Sequence, residues 1–322
     1  MGFLYSQFFV TPTYPTRSFV GETVIVTGSN VGLGKEAARH ITRLGASKVI
    51  LACRNTTGGE EAKQDIISTT KVDPTIIEVW QLDLSSYDSV KDFANRASAL
   101  PRVDVLLENA GIATDDFRLV SGHESTITVN VVSTFLLALL MLPKLKETSQ
   151  QYNVQPRLVI VSSEVHGYTN LPEREAANTF DELSNQSTAD MGQRYPTSKL
   201  LEVLVVREIA PKLNGSGVVL NMLNPGLCHS SLSRNTVGLK GIIFWLMKAT
   251  LARSTEVGSR TLVAGAAADE KSHGEYMHDA KVDDEALSPF VKSEDGTKAS
   301  QKVWAELKEI LEKIEPGVTS NL

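Results

Sequence analysis

The chain has 322 residues, 42% of them apolar and 22% charged, which is ordinary for a globular protein with a sizeable core. A formal net charge of −6 excludes a general attraction to nucleic acid or acidic membranes and points to a small-molecule partner. Two cysteines, Cys53 and Cys228, are too few for a disulfide framework or a cysteine-rich zinc site, so a reducing, cytoplasmic setting is the simpler expectation.

MGFLYSQFFVTPTYP at the start has no basic segment, cleavage site or long apolar run, so residues 1–20 read as an arm rather than a signal peptide. The runs TVIVTG, KVILACR, IIEVWQLD, VDVLLENAG, RLVIVSS and GVVLNMLNPG are short, apolar and rich in β-branched residues. Between them lie amphipathic stretches that predict helices near 32–44, 59–70, 86–99, 122–146, 195–213, 255–268 and 298–314. Continuous apolar strands alternating with helices predict an α/β fold: one Rossmann-like, doubly wound parallel sheet with helices on both faces. The expected division is the arm, a dinucleotide-binding and catalytic domain over 21–290, and a C-terminal helical extension over 291–322.

Two segments interrupt the alternation, a polar one at 164–194 and an apolar one at 228–253. Both follow the carboxyl ends of strands, where open α/β sheets bind ligands, and both are therefore expected to wall a substrate pocket. The apolar segment contains GIIFWLMKATLA, which is interrupted by Lys248 and is shorter than the ~20 residues of a membrane span, so no transmembrane segment is expected. Its FWLM stretch at 244–247 reads as a lid helix more readily than as a membrane contact.

TGSNVGLGKEAAR, residues 27–39, places Gly28, Gly32 and Gly34 between a strand and a helix. Without Cβ atoms such a turn lets a pyrophosphate approach the backbone and the positive helix end, with Ser29, Asn30 and Leu33 alongside. Its spacing differs from G-x-G-x-x-G, and a tight structural turn is also compatible with it. At the end of the second strand stands Arg54, where an NAD-selective site places an acid. Arginine there suits a 2′-phosphate, so NADP(H) is the expected cofactor; an exposed arginine without ligand is the alternative.

YPTSK puts Tyr195 and Lys199 four residues apart, on one helical face. An ammonium beside a phenol favours phenolate, although the spacing alone is common on helices. With the glycine turn, LDLSS (82–86), NAG (109–111), VNVVSTF (129–135), VIVSS (159–163) and NPG (224–226), the chain from about 20 to 285 resembles the short-chain dehydrogenase/reductase family. The likeness is to its retinol-dehydrogenase-like, often fungal, branch. It extends to HGEYMHDAKV (273–282), which matches that branch's closing strand.

The resemblance implies that Tyr195 exchanges the proton, that Ser163 polarises the substrate oxygen, that Lys199 holds the nicotinamide ribose and that Asn130 anchors a proton-relaying water. It assigns Asp83 and Leu84 to the adenine, Asn109, Ala110 and Gly111 to the adenosine ribose and adjacent backbone, and Pro225, Gly226 and Leu227 to the nicotinamide side. Taken singly, Ser162 and Ser163 are compatible with backbone hydrogen bonding, Asn130 with capping or kinking its helix, and Asp83 with a turn.

Two departures stand out: Glu108 replaces the usual asparagine before NAG, and the 32 residues from Ser163 to Tyr195 form a longer interval than in compact members. His166 and His229 fall near the pocket, yet the six scattered histidines lack metal-ligand spacing and packing is the simpler role. The function implied is NADP(H)-dependent hydride transfer to or from a bulky apolar carbonyl or secondary alcohol in secondary metabolism. The alternatives are a cofactor-binding scaffold without turnover and an isomerase or dehydratase using the same site. Helices 122–146 and 195–213 offer a homodimer face unless the arm and insertions block it.

Overall fold

Alternating side chains of each central strand enter two different cores, which is why those strands are apolar without interruption. Ile25, Leu106, Leu158 and Ile160 pack on one face, and Val24, Val26, Val105, Leu107, Val159 and Val161 on the other. The computed structural model describes residues 3–229 and 250–322. In it the strands are β1 (Thr23–Thr27), β2 (Lys48–Cys53), β3 (Ile77–Gln81), β4 (Val105–Glu108), β5 (Leu119–Val120), β6 (His123–Glu124), β7 (Arg157–Val161), β8 (Val219–Asn224), β9 (Tyr276–His278) and β10 (Lys281–Val282).

Among the described residues the main sheet has eight strands in the order β10-β9-β8-β7-β4-β1-β2-β3, and β5 and β6 form a separate hairpin. All neighbours in the main sheet run parallel except β10, which turns back antiparallel on β9. The HGEYMHDAKV segment thus supplies a parallel strand and a short return strand. Strand order reverses between β1 and β4, so the ligand crevice opens beyond their carboxyl ends.

The helices are α1 (Phe3–Phe9), α2 (Gly32–Arg43), α3 (Thr56–Thr70), α4 (Tyr87–Ser98), α5 (Ser125–Ile127), α6 (Thr134–Tyr152), α7 (Thr179–Leu183), α8 (Met191–Ile209), α9 (Thr255–Ala267), α10 (Pro289–Lys292) and α11 (Glu294–Ile314). Local capping accounts for starts earlier than the apolar period suggests. Asn55 Oδ1 accepts from Gly58 N at 3.1 Å and begins α3 at Thr56. Asp190 accepts from the amides of Gly192 and Gln193 at 3.0 and 3.3 Å, so Tyr195 lies inside α8 rather than at its head.

Between α5 and α6 the helix widens into a π turn over Thr128–Ser133. The combined helix Ser125–Tyr152 is long and apolar enough to cross a membrane, but 94% of its apolar window is buried inside the protein, as a core helix requires.

The C-terminal segment covers the face that the sequence offers to a second subunit. Val303, Trp304, Leu307 and Leu311 of α11 are buried in the same core as Leu200, Leu204 and Leu136. Most of the 164–194 insertion is drawn to that helix: Lys302 Nζ donates to Arg174 O at 2.7 Å, and Thr179 N to Glu306 Oε2 at 2.9 Å. Its first turn, Glu164–Tyr168, lies against α8 beside Ser163, and its last four residues begin α8 itself. FWLM and most of the second insertion lie outside the described residues.

Candidate active site

The glycine turn is built for close approach. Gly28 and Gly32 both have φ 64°, a conformation that side chains disfavour. A Cβ on Gly34 would stand 2.7 Å from Gly28 O and 2.5 Å from Asn109 Nδ2, leaving no room for one. No side chain caps the start of α2, because Val31 occupies that position, so its first amides remain for an anion. These features fit a dinucleotide pyrophosphate.

NAG holds this turn in place. Thr27 Oγ1 accepts from Asn109 N at 3.0 Å and Ala110 N at 2.9 Å, while Asn109 Nδ2 donates to Thr27 O at 2.9 Å. The Asn109 amide therefore faces the turn, and Thr27, unremarked in the sequence, is the acceptor that joins β1 to β4.

On the adenosine side Arg54 is exposed, and among the described residues its guanidinium makes no ion pair. Asn30 Nδ2 would lie 3.4 Å from a Cβ on Gly58, so Asn30 meets the first turn of α3 beside Asn55. Asp83 Oδ1 accepts from Ser85 N and Oγ at 2.9 and 2.6 Å, a turn-forming role, and Leu84 is buried with its carbonyl accepting from Ser133 Oγ at 2.6 Å.

At the reacting end Lys199 Nζ donates to Val161 O at 2.9 Å and to Glu202 Oε1 at 2.7 Å, and lies 5.6 Å from the Tyr195 ring centroid. Ser163 lies near enough to the Tyr195 hydroxyl to favour its ionised form. A Cβ on Gly111 would stand 3.3 Å from Asn130 Oδ1 and 3.8 Å from Lys199 Nζ, so a bare backbone separates those two groups.

Asn130 sits in the π turn. Its Oδ1 accepts from Ile112 N at 2.9 Å, and its Nδ2 donates to Ile112 O at 2.9 Å and Ser198 Oγ at 3.0 Å. Its side chain thus pins the backbone after NAG, and Ser198 passes the tie to α8 by donating to Tyr195 O at 2.8 Å.

Histidine 166 is a support. His166 Nε2 accepts from Ser288 N at 3.1 Å, which leaves the proton on Nδ1, 2.8 Å from Ser163 O. Burial lowers its pKa and keeps it neutral. His229 is exposed at the root of the second insertion, where its N donates to Arg253 O at 3.0 Å.

Lys199 draws Tyr195 toward phenolate, as the sequence spacing suggests, but in the protein by itself burial outweighs it. Burial pushes the phenol up, Lys199 pulls it down, and the carboxylate of Glu202 pushes it up again. Glu108, the departure before NAG, is buried with neither carboxyl oxygen hydrogen-bonded among the described residues. Burial first, and then Glu202, hold its pKa well above the usual range, so it is a neutral acid.

The loop after β8, which the sequence resemblance assigns to the nicotinamide side, is braced from below. Gly226 has φ 76°, and its N donates to Asn224 Oδ1 at 2.7 Å; Asn224 Nδ2 in turn meets His278 Nδ1 at 3.0 Å. Pro225 O accepts from Cys228 Sγ at 3.4 Å. With its amide turned to satisfy its neighbours, Gln7 of the arm bonds Leu227 N and O and Leu251 O, each at 3.1 Å.

A family model described as short chain dehydrogenase matches residues 22–172. A short chain dehydrogenase/reductase of Cryptosporiopsis sp. (strain 8999) is 51% identical, with 100% of each chain covered. The chain belongs to the short-chain dehydrogenase/reductase family. A short-chain dehydrogenase of Penicillium roqueforti (strain FM164) is 47% identical over 99% of this chain and 84% of its own.

Among solved structures, an NADPH-bound carbonyl reductase from chicken fatty liver superposes with TM-score 0.59 at 19% identity, covering 83% of this chain and 99% of its own. An NADP-bound 3-oxoacyl (acyl-carrier-protein) reductase from Agrobacterium tumefaciens gives TM-score 0.60 at 22% identity, covering 81% and 93%. The first two relatives make this a dehydrogenase/reductase of fungal type, and the two structures share its fold.

In this short-chain dehydrogenase the side chain that motif reading misses is Glu202. It follows Lys199 by three residues, on the same helical face, and is the one charge in LLEVLVV. A lone acid in an otherwise apolar helical run is the sequence signal that marks it.

Proposed function

We propose that the protein transfers hydride between NADP(H) and the carbonyl or secondary-alcohol carbon of a bulky apolar small molecule. The observation that carries this reading is the convergence of Ser163, Tyr195 and Lys199 beside Gly111, at the crevice end where the uncapped α2 and its glycine turn suit a dinucleotide. NADP(H) is favoured over NAD(H) by Arg54, which is exposed at the end of β2 and makes no ion pair among the described residues. A role in secondary metabolism and a cytoplasmic site rest on the sequence resemblance and on a chain with two cysteines, too few for a disulfide framework.

The bound nicotinamide supplies or accepts the hydride at carbon. Ser163 and Tyr195 hydroxyls hold one substrate oxygen, and in reduction Tyr195 gives that oxygen its proton. Lys199, anchored on Val161 O and Glu202, keeps a third N–H for the ribose.

NADPH absorbance followed across a panel of apolar aldehydes and ketones tests the reading. Tyr195→Phe is expected to fold and to lose about a hundred-fold or more in kcat. Undiminished turnover in that variant would end the assignment. Product formed with no change in nicotinamide redox state would select isomerisation or dehydration.

A further inference from the structure

Glu202 and Lys199 form a buried pair directly behind the reacting phenol: the carboxylate is 2.7 Å from the ammonium, and both side chains are almost fully buried. An ammonium beside a phenol stabilises phenolate, but one whose charge is balanced by a carboxylate at contact distance does so far less. The second carboxyl sharpens this arrangement. Leu106 and Glu108 alternate onto the same face of β4 as the core into which α8 packs, so Glu108 enters the region of Glu202.

Two neighbouring buried carboxyls do not both ionise. Glu202 has the ammonium and Glu108 has no partner, so the charge resides on Glu202 and the proton on Glu108. The remaining titratable groups facing this cluster are Tyr276 of β9, His166, whose Nδ1 lies 3.5 Å from the Tyr276 hydroxyl, and, beyond them, Glu164 of the turn after β7. None brings a positive charge to it, since burial lowers the His166 pKa. Around Tyr195 the net field is that of a compensated lysine.

We propose, on the oxidoreductase reading above, that Glu202 is a positioning residue that tethers the Lys199 ammonium and keeps Tyr195 a proton-bearing phenol, biasing the site toward carbonyl reduction. In the reductive step hydride forms the new C–H bond, the carbonyl π bond breaks toward oxygen, and that oxygen takes the Tyr195 proton. The phenolate left behind must be reprotonated, and a site that disfavours phenolate keeps Tyr195 in the proton-bearing form that begins a reductive turnover. Alcohol oxidation needs the phenolate first and is opposed by the same charge. Burial holds the Glu202 carboxyl at about 7 against Lys199 and Ser162, so at the alkaline pH where the phenol would ionise Glu202 is already charged.

The test is an ultraviolet difference titration of tyrosinate in the cofactor-free protein, with Tyr195→Phe subtracted to isolate this phenol. Glu202→Gln is expected to ionise Tyr195 at a pH lower by roughly one unit. The alkaline limb of kcat/KM for carbonyl reduction should fall by the same amount, and alcohol oxidation should become measurable at correspondingly lower pH. An unchanged or higher Tyr195 titration overturns the proposal. Should Glu202→Gln not fold, Glu202→Met, of similar length and without charge, carries the same expectation. A wild type that binds nicotinamide but turns over no carbonyl would refute the oxidoreductase reading, while the titration would still decide the role of Glu202.

Discussion

Arg253 donates to Asp279 Oδ1 at 2.6 Å, and the same guanidinium nitrogen reaches Ser6 O at 2.9 Å and Val10 O at 3.1 Å. The N-terminal arm is thereby tied to both ends of the second insertion, since Arg253 N donates to Leu227 O at 2.8 Å and His229 N returns to Arg253 O at 3.0 Å. Asp279 also accepts from Ser6 Oγ and lies 3.2 Å from His278. The arm is a brace for the loop after β8.

Asp279→Asn should cost about 2 to 4 kcal/mol, because it leaves the Arg253 charge buried and unpaired. Burial alone would raise the Asp279 carboxyl, but hydrogen bonds from His278, Ser6 and Arg253 hold it far below the ordinary range. A depressed carboxyl contributes stability that is fully present above its unfolded pKa of about 4 and is lost as pH falls through the folded value. Thermal melts between neutral pH and pH of about 3 should show a smaller acid loss in Asp279→Asn than in wild type. Equal acid sensitivity would refute the linkage.

Gly34→Ala should weaken NADPH binding by about tenfold or more, because the new methyl meets Gly28 O and Asn109 Nδ2 and the turn has to shift. Isothermal titration measures it, and affinity equal to wild type would show that the turn has slack the geometry denies.

Arg54→Asp should loosen NADPH by about tenfold while leaving NADH unchanged or tighter, since only the 2′-phosphate distinguishes them. Dissociation constants for both cofactors in both proteins decide it. Tighter NADH than NADPH in wild type would defeat the NADP preference.

Trp304→Ala should destabilise the fold by about 3 kcal/mol, because the indole is buried between α11 and the helices it covers. Truncation before Glu294 should expose the apolar face of α8 and produce self-association on size-exclusion chromatography. A monodisperse, undiminished truncated protein would show that α11 is dispensable.

The sheet was legible because parallel strands covered on both faces must be apolar at every position, as Val24, Ile25 and Val26 are. Glycine turn, NAG, Ser163 and the Tyr195–Lys199 spacing were legible for a related reason: each is a local backbone or helical-face requirement. Helix starts at Thr56 and Met191 were hidden, because Asn55 and Asp190 cap ahead of the apolar period. The course of residues 164–194 was hidden too. Their polarity gave no sign that the carbonyl of Arg174 and the amide of Thr179 find partners on α11.

By itself the sequence determined the α/β architecture, the order of its motifs and the candidates, Ser163, Tyr195 and Lys199, on which the proposed hydride-transfer chemistry rests, since these follow from periodicity and from short-range geometry. Tertiary structure alone decided that α11 covers the expected pairing face, that the arm braces the loop after β8, and that Glu202 offsets Lys199 against Tyr195. Each of these depends on groups far apart in the chain. Covering and bracing arise where distant segments bury the same surface, and a phenol's proton affinity is a sum over every charge and dipole that folding brings near it.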